Sequence, residues 1–505
     1  MVQLFDLDHR AVLRSYGGPF AVAYIATVVC YGYFFFSLGF TNHTTNVWVY
    51  SYPSFKTTLE GRWFADILIR LTGGSGVPPF QMAVAAAIQI VNAFVFCAIF
   101  RQSNRVVIYM AALAIALHPA FLDYYSFTVD HISFVTGDLL ALLGVLAMQR
   151  GRTFVMRWIL PVVCFVLSIA TYQPKIALIG FLLVARCFWA GDEAYRDDVR
   201  RLAQSAVVFV LSAVIYYISI RLTIRVVSTD YNSARQHINS IPQIVSQVLF
   251  SYKQVISYFT SRVDYLPPML KWMPGLLIVL GLGGLLVSRW RAGILPFALG
   301  VLLILAIPPV LQLSFVINSE AYSNSGRILS VHGYFLCFAF IAALAPATLR
   351  GIPLLLQGAL IYFFAIVATQ ESNQASVKNV FDSGQVNRII SRIETTVPDV
   401  GSKVHPLVVI DQFSFQPARR LRAYPNTLYG SQVRTTTFVN YRQVEIANFF
   451  IGKEALRSPT TAEVAAAVRS ACGRKPWPAT ESVFADGDTI VVLLGNCHGP
   501  TTWTE

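Results

Sequence analysis

Four short stretches of this sequence gather residue types able to do acid–base and anion chemistry. The first is Glu60-Gly61-Arg62-Trp63-Phe64-Ala65-Asp66, with two carboxylates and a guanidinium within seven residues. If Arg62 to Leu71 is helical, Arg62 and Asp66 stand four apart and share a face. Two readings fit: an interfacial amphipathic helix with a local ion pair, or a site where Arg62 grips a phosphate and Glu60 accepts a proton. The second stretch is Asp123-Tyr124-Tyr125-Ser126-Phe127-Thr128-Val129-Asp130-His131, which has no basic residue apart from its histidine. Asp130 is either a helix N-cap or a working carboxylate, and Asp138 follows two turns on. The third is Tyr172-Gln173-Pro174-Lys175, where Pro174 suits a helix break. Lys175 either snorkels to the interface or holds an anionic head group. The fourth, Glu320 to Arg327, ends in an arginine able to grip a phosphate bidentately or to act as an interfacial anchor.

The elements that must position these groups are apolar. The chain has 505 residues, 55% of them hydrophobic and 13% charged, with a mean hydropathy of +0.56. A soluble domain carries about 25% charged residues, so this composition excludes an ordinary soluble enzyme. Apolar runs fall near 20–40, 80–100, 106–122, 131–149, 158–171, 174–190, 205–227, 272–288, 294–316, 328–346 and 351–369. By the ~30 Å thickness of a hydrocarbon core they predict an all-α polytopic membrane protein with about eleven transmembrane helices. The pair over 158–190 reads either as two helices broken at Tyr172-Gln173-Pro174 or as one kinked helix with a re-entrant piece. The polar, charged start, Met1 to Arg14, argues against a cleavable signal peptide.

The net charge of +13 resides largely in short loops. Bilayer topology accounts for it without nucleic acid. With the N-terminus in the cytoplasm, Arg101 and Arg105, then Arg150, Arg152 and Arg157, then Arg196, Arg200 and Arg201, then Arg289 and Arg291, and finally Arg350 all fall on the inner side. The four chemical stretches fall on the outer side. The long loop 228–271 carries Tyr231, Tyr252, Tyr258, Phe259, Tyr265 and Trp272, which read as interfacial aromatics or as a sugar-stacking acceptor surface.

An odd number of spans sends the tail outside. Residues 1–370 are expected to form the membrane domain and residues 371–505 a small extracytoplasmic α/β domain. Val404 to Asp411 and Thr489 to Leu494 read as strands, and Ala462 to Ala471 as an amphipathic helix. Of the seven cysteines, only Cys472 and Cys497 lie in the tail. They are either a disulfide suited to an oxidising compartment or two free thiols. The sequence contains no phosphate-binding Walker loop, no zinc-type Cys/His spacing and no nucleophile elbow.

Together these stretches resemble the bacterial O-antigen glucosyltransferases of the Gtr type II family. Glu60 to Asp66 is similar to a "DGRPLAD"-like motif of the first outer loop. Tyr125-Ser126-Phe127 followed by Asp130 is similar to a "Y-x-F-D-S-L"-like motif, and Tyr172-Gln173-Pro174 matches a "YQP" motif. Tyr265-Leu266-Pro267 and Gly326-Arg327 also fit. The resemblance covers roughly residues 20–440. It implies a GT-C type fold in the bacterial cytoplasmic membrane, a polyprenyl-phosphate sugar donor (glucose by family) and a cell-surface glycan acceptor such as O-antigen lipopolysaccharide. It also implies inversion at the anomeric carbon. Glu60 and Asp130 are the expected base and acceptor-positioning groups, in an order left open, with His43 a further candidate because Thr41 to Asn46 lacks an acid. Arg62, Lys175 and Arg327 are expected at the donor phosphate, with Asp66, His131, Tyr172 and Gln173 in substrate binding. No metal or other cofactor is required, although two neighbouring carboxylates can bind one. The competing readings are a transporter or flippase of lipid-linked glycans and a non-catalytic membrane scaffold. A transporter would be expected to spread charges through the middle of several spans.

Overall fold

The computed structural model describes residues 9–37, 57, 60–72, 78–189, 195–227, 238–261, 263, 266–319, 327–344, 350–411, 443–495 and 497. His43, Tyr231, Tyr265 and the stretch 320–326 lie outside the described residues. The chain divides into two compact units, one including residues 51–372 and the other including residues 373–422 and 432–505.

Among its described residues the regular elements of the first unit are all helices. Six helices are long and apolar enough to cross a membrane, or seven if the bent pair Arg105–Leu117 and Pro119–Ser126 is one span. That is fewer than the eleven apolar runs, because several runs are broken or short. The run over 20–40 belongs to the helix His9–Cys30, which ends at a break before Gly32–Phe36. The run over 106–122 bends by 42° where His118 interrupts it ahead of Pro119. The pair over 158–190 is two helices, Leu160–Thr171 and Lys175–Trp189, parted by an extended Tyr172. Proline at 174 cannot donate to the preceding turn, so the helix stops before it and restarts after it. The run over 328–346 yields only Val331–Ala343.

Lipid is the solvent that these surfaces require. On the helix Tyr195–Val227, Val207, Val210, Leu211, Val214 and Ile218 are all exposed. A contiguous apolar stripe of this kind marks a membrane or a partner. Inside, polar side chains tie helices together. Asn92 donates to the Val135 carbonyl at 2.9 Å, Gln89 to the Ile115 carbonyl at 2.9 Å and Ser168 to the Gly137 carbonyl at 2.7 Å. A Cβ on Gly137 would collide with the Thr171 hydroxyl. The missing side chain is therefore what lets His131–Arg150 approach Leu160–Thr171 so closely. The buried groups Arg289 and Asp198 pair at 3.1 Å, and Arg289 also donates to the carbonyls of Cys187 and Phe188. This arginine caps the end of the helix Lys175–Trp189, where the helix dipole favours a cation.

The second unit is a small α/β domain. Its four-stranded sheet has the order β2-β1-β4-β3, from β1 (His405–Ile410), β2 (Leu456–Arg457), β3 (Val483–Asp486) and β4 (Thr489–Leu493). β1 runs parallel to both β2 and β4, while β3 and β4 form an antiparallel hairpin. Both central strands are buried along their whole length, as strands covered on two faces must be. One face packs on Val386, Ile389, Ile390 and Ile393 of the helix Gly351–Thr396. The other packs on Ala467 and Ala471 of the helix Thr461–Ala471. That helix begins with a capping box between Thr460 and Glu463. Arg457 holds the Glu463 carboxylate at 2.7 Å. This pairing, with the Thr460 backbone N–H, draws the Glu463 carboxyl down to about 2. Cys472 and Cys497 form a disulfide with their Cα atoms 5.4 Å apart, and the free cysteines of the chain are buried.

Candidate functional site

The site begins with a tight turn. Gly61 has φ +66°, a conformation glycine adopts without a steric penalty. It folds Glu60 and Arg62 back toward each other, and their side chains pair at 2.7 Å. The turn is fixed from outside by the helix Tyr195–Val227. Tyr216 donates to the Gly61 carbonyl at 3.3 Å, and Trp63 donates to the Ser219 hydroxyl at 3.2 Å.

The break between the helices Leu160–Thr171 and Lys175–Trp189 supplies the facing wall. Arg62 Nε donates to Gln173 Oε1 at 2.8 Å, and Gln173 Nε2 donates to the Glu60 carbonyl at 2.5 Å. The Arg62 guanidinium lies 4.6 Å from the centre of the Tyr172 ring. Arg327 reaches the same ring system from a part of the chain 155 residues away, donating to the Tyr172 hydroxyl at 3.1 Å. Its guanidinium also stacks on Phe127 at 4.1 Å. Its backbone N–H faces Asp123 Oδ2 at 3.4 Å. Two arginines thus flank one tyrosine, with Glu60 on one side and Asp123 on the other. Nη1 of Arg327 is buried with no hydrogen-bond partner among the described residues. The Glu60 and Arg62 side chains are only 8% and 12% exposed, so water competes weakly for their charges.

A second charged group lies deeper. Lys175 Nζ pairs with Asp138 Oδ1 at 2.5 Å and also donates to the Tyr124 hydroxyl, while Tyr124 donates to Asp138 Oδ2 at 3.3 Å. The Lys175 and Asp138 side chains are 2% and 0% exposed. An ammonium at this depth is stable only when paired, and here its partners are all internal.

The remaining expected residues have these surroundings. Arg62 and Asp66 do not form the local pair that helical spacing allows. The helix starts at Trp63 with Arg62 at its cap position, which turns Arg62 toward Glu60 and Gln173. Asp66 instead pairs with Arg70, four residues on, at 2.5 Å and accepts from Thr57 at 2.6 Å. Asp130 precedes the helix His131–Arg150 but makes no side-chain capping bond. It is buried, at 3% exposure. His131 is fully buried against the Tyr125 and Tyr124 rings, with its Nδ1 3.1 Å from Met82 Sδ. Asp123 was not singled out from sequence. Only its partner, 204 residues away, marks it, and no local spacing carries that information. Among the described residues no group of three His, Cys, Asp or Glu side chains is placed to hold a metal ion.

Long lipid-facing helices and a charged cluster gathered from distant loops define a membrane protein with a polar site. Residues 32–369, more than half of the chain, match the family described as glucosyl transferase GtrII. The chain belongs to this family and is a membrane glycosyltransferase of the glucosyl-transferring kind. No curated protein and no solved structure matches the chain.

Proposed function

We propose that the protein moves a sugar, glucose by family, from a polyprenyl-phosphate donor to a cell-surface glycan such as O-antigen lipopolysaccharide. The reaction takes place at the outer face of the bacterial cytoplasmic membrane. Residues 1–370 form the catalytic domain, a GT-C type fold of about eleven spans with the N-terminus cytoplasmic. Residues 371–505 form a soluble domain on the outer side. The observation that carries this reading is the meeting of Glu60, Arg62, Gln173, Tyr172 and Arg327 within the family-matched region.

In this reading the acceptor hydroxyl gives its proton to Glu60 as its oxygen attacks the anomeric carbon from the face opposite the phosphate. The bond from that carbon to the phosphate oxygen breaks, the configuration inverts, and polyprenyl phosphate departs with the bonding electrons. Arg62 and Arg327 are fixed donors aimed at the negative charge developing on the phosphate, where a poorly hydrated site makes them most effective. Asp130 and Asp123 are the carboxylates that position the acceptor, and Asp130 is the alternative base. Lys175 is held by Asp138 and acts as a positioning residue for the Tyr172-Gln173 break.

The test is transfer from labelled polyprenyl-phosphate glucose to surface glycan in isolated membranes. Glu60→Gln should lower the rate about 10²- to 10⁴-fold, the usual worth of a positioned base. Asp130→Asn reports whether the second carboxylate shares that role. Full transfer by both variants would remove both residues from the chemistry.

A further inference from the structure

The helix Ile241–Thr260 has two opposed faces. Ile241, Val245, Leu249 and Ile256 are exposed and fall on one stripe at helical spacing. Gln247, Ser251 and Gln254, at i, i+4 and i+7, fall on the other. A helix lying at a bilayer surface sinks its apolar stripe into lipid and commonly turns its polar stripe to water. Here the polar stripe instead lines a shallow, half-open pocket that it shares with Phe250, Gln312 and Phe315.

The lining has a definite chemistry. Three primary amides and a hydroxyl supply hydrogen-bond donors and acceptors without any charge, and two phenyl rings supply flat apolar faces. Among the described residues the side-chain amides of Gln247 and Gln254 have no hydrogen-bond partner, and Gln312 has only a long contact of 3.4 Å to His332. An anion would call for a cation and a cation for a carboxylate. An acyl chain would leave three amides unsatisfied at a cost for each. A neutral sugar meets both halves of the lining, its hydroxyls on the amides and its C–H face on a ring. Binding pockets are built in this way, mainly from apolar walls with a few convergent polar groups.

The pocket also adjoins the charged cluster along the chain. Gln312 precedes the short helix Leu313–Ile317, in which the buried Ser314 lies 3.5 Å from the Pro174 carbonyl. Pro174 follows Gln173, the partner of Arg62. Asn239 fixes the start of the pocket helix to this same segment, donating to the Val316 carbonyl at 3.0 Å.

We infer that the pocket lined by Gln247, Gln254, Gln312 and Phe250 is a subsite for a neutral hexose unit of the acceptor glycan. This rests on the transferase reading above. The experiment uses the full chain in lipid nanodiscs, with a panel of neutral disaccharides of glucose, galactose and rhamnose followed by saturation-transfer NMR. At least one disaccharide binds wild type. Binding weakens about tenfold, the worth of one or two hydrogen bonds, in Gln247→Ala/Gln254→Ala and in Phe250→Ala. Glu60→Gln, outside the pocket, keeps it. In the transfer assay the double variant raises KM for the glycan and leaves kcat within about twofold, as loss of ground-state binding requires. If wild type transfers sugar but the double variant, with an unchanged melting temperature, keeps the wild-type glycan KM, the subsite is wrong and the transferase reading stands. If no disaccharide binds, the subsite is also wrong. If wild type transfers no sugar at all, the transferase reading falls and the acceptor assignment falls with it.

Discussion

Glu60–Arg62 and Asp138–Lys175 are both buried acid–base pairs, yet they differ in what remains available to a ligand. In the first, Arg62 divides its donors between Glu60 and Gln173, and neighbouring Arg327 keeps a buried donor atom without a partner. In the second, Lys175 is engaged by Asp138 and Tyr124, and the side chains are all but sealed from solvent. The difference teaches that depth alone does not make a charge catalytic. A pair whose valences are satisfied by its own fold serves position, and a cluster beside a buried, unpartnered arginine nitrogen such as Nη1 of Arg327 can serve chemistry. The closed pair sits at the mouth of the Tyr172-Gln173 break, so it holds in place the wall against which the open cluster is built.

The largest expected effect comes from breaking the open cluster. Glu60→Gln should remove nearly all transfer while leaving the thermal unfolding temperature close to wild type, because the amide can still accept from Arg62. Breaking the closed pair should do the reverse in order. Lys175→Met leaves Asp138 buried beside Tyr124 without its cation, and loss of one member of such a pair costs about 3–5 kcal/mol. Detergent-solubilised protein should therefore melt far earlier, with activity lost through unfolding. Lys175→Met combined with Asp138→Leu should recover most of that stability, since a well-packed apolar replacement is often neutral. A double variant that folds yet transfers no sugar would move Lys175 from position into chemistry.

Arg327→Lys is expected to sit next in size, at about tenfold in the transfer rate, because lysine keeps the charge and loses the planar fork that reaches Tyr172. In the α/β domain, Cys472→Ser should lower stability by about 3 kcal/mol, as opening a loop of this size does. The smallest effect concerns acid. The Glu463 carboxyl is held at about 2 against an ordinary 4.5. Its depressed value means that its contribution is complete above about 4.5 and is lost as pH falls toward 2. Wild type should therefore lose stability across that window a little more steeply than Glu463→Gln, measured by urea unfolding of the full chain. Equal slopes would show that Arg457 contributes nothing there.

Much of this was legible in the residues themselves. The break at Tyr172-Gln173-Pro174 follows from proline's missing donor, and the strands over 404–411 and 489–494 follow from the apolar runs 407–410 and 490–494 within them. The helix after Thr460 carries its capping signal in four residues. Partners across long separations left no local trace. Arg62 stands four residues from Asp66, and spacing alone pairs them, yet the glycine turn redirects it to Glu60 and to Gln173, 111 residues on. Asp130 was marked by its place before a helix, whereas Asp123, three residues earlier than Ser126 in the same loop, meets Arg327 only once the chain has folded. Over the apolar run 328–346 the described helix is Val331–Ala343, because hydropathy does not sense where a helix ends.

Single-turnover transfer from polyprenyl-phosphate glucose, measured side by side in Glu60→Gln and in the Lys175→Met/Asp138→Leu variant, tests the central distinction. The account predicts transfer slowed about 10²- to 10⁴-fold in the first, with its fold intact, and a rate within about tenfold of wild type in the second. Wild-type transfer by Glu60→Gln would contradict it outright.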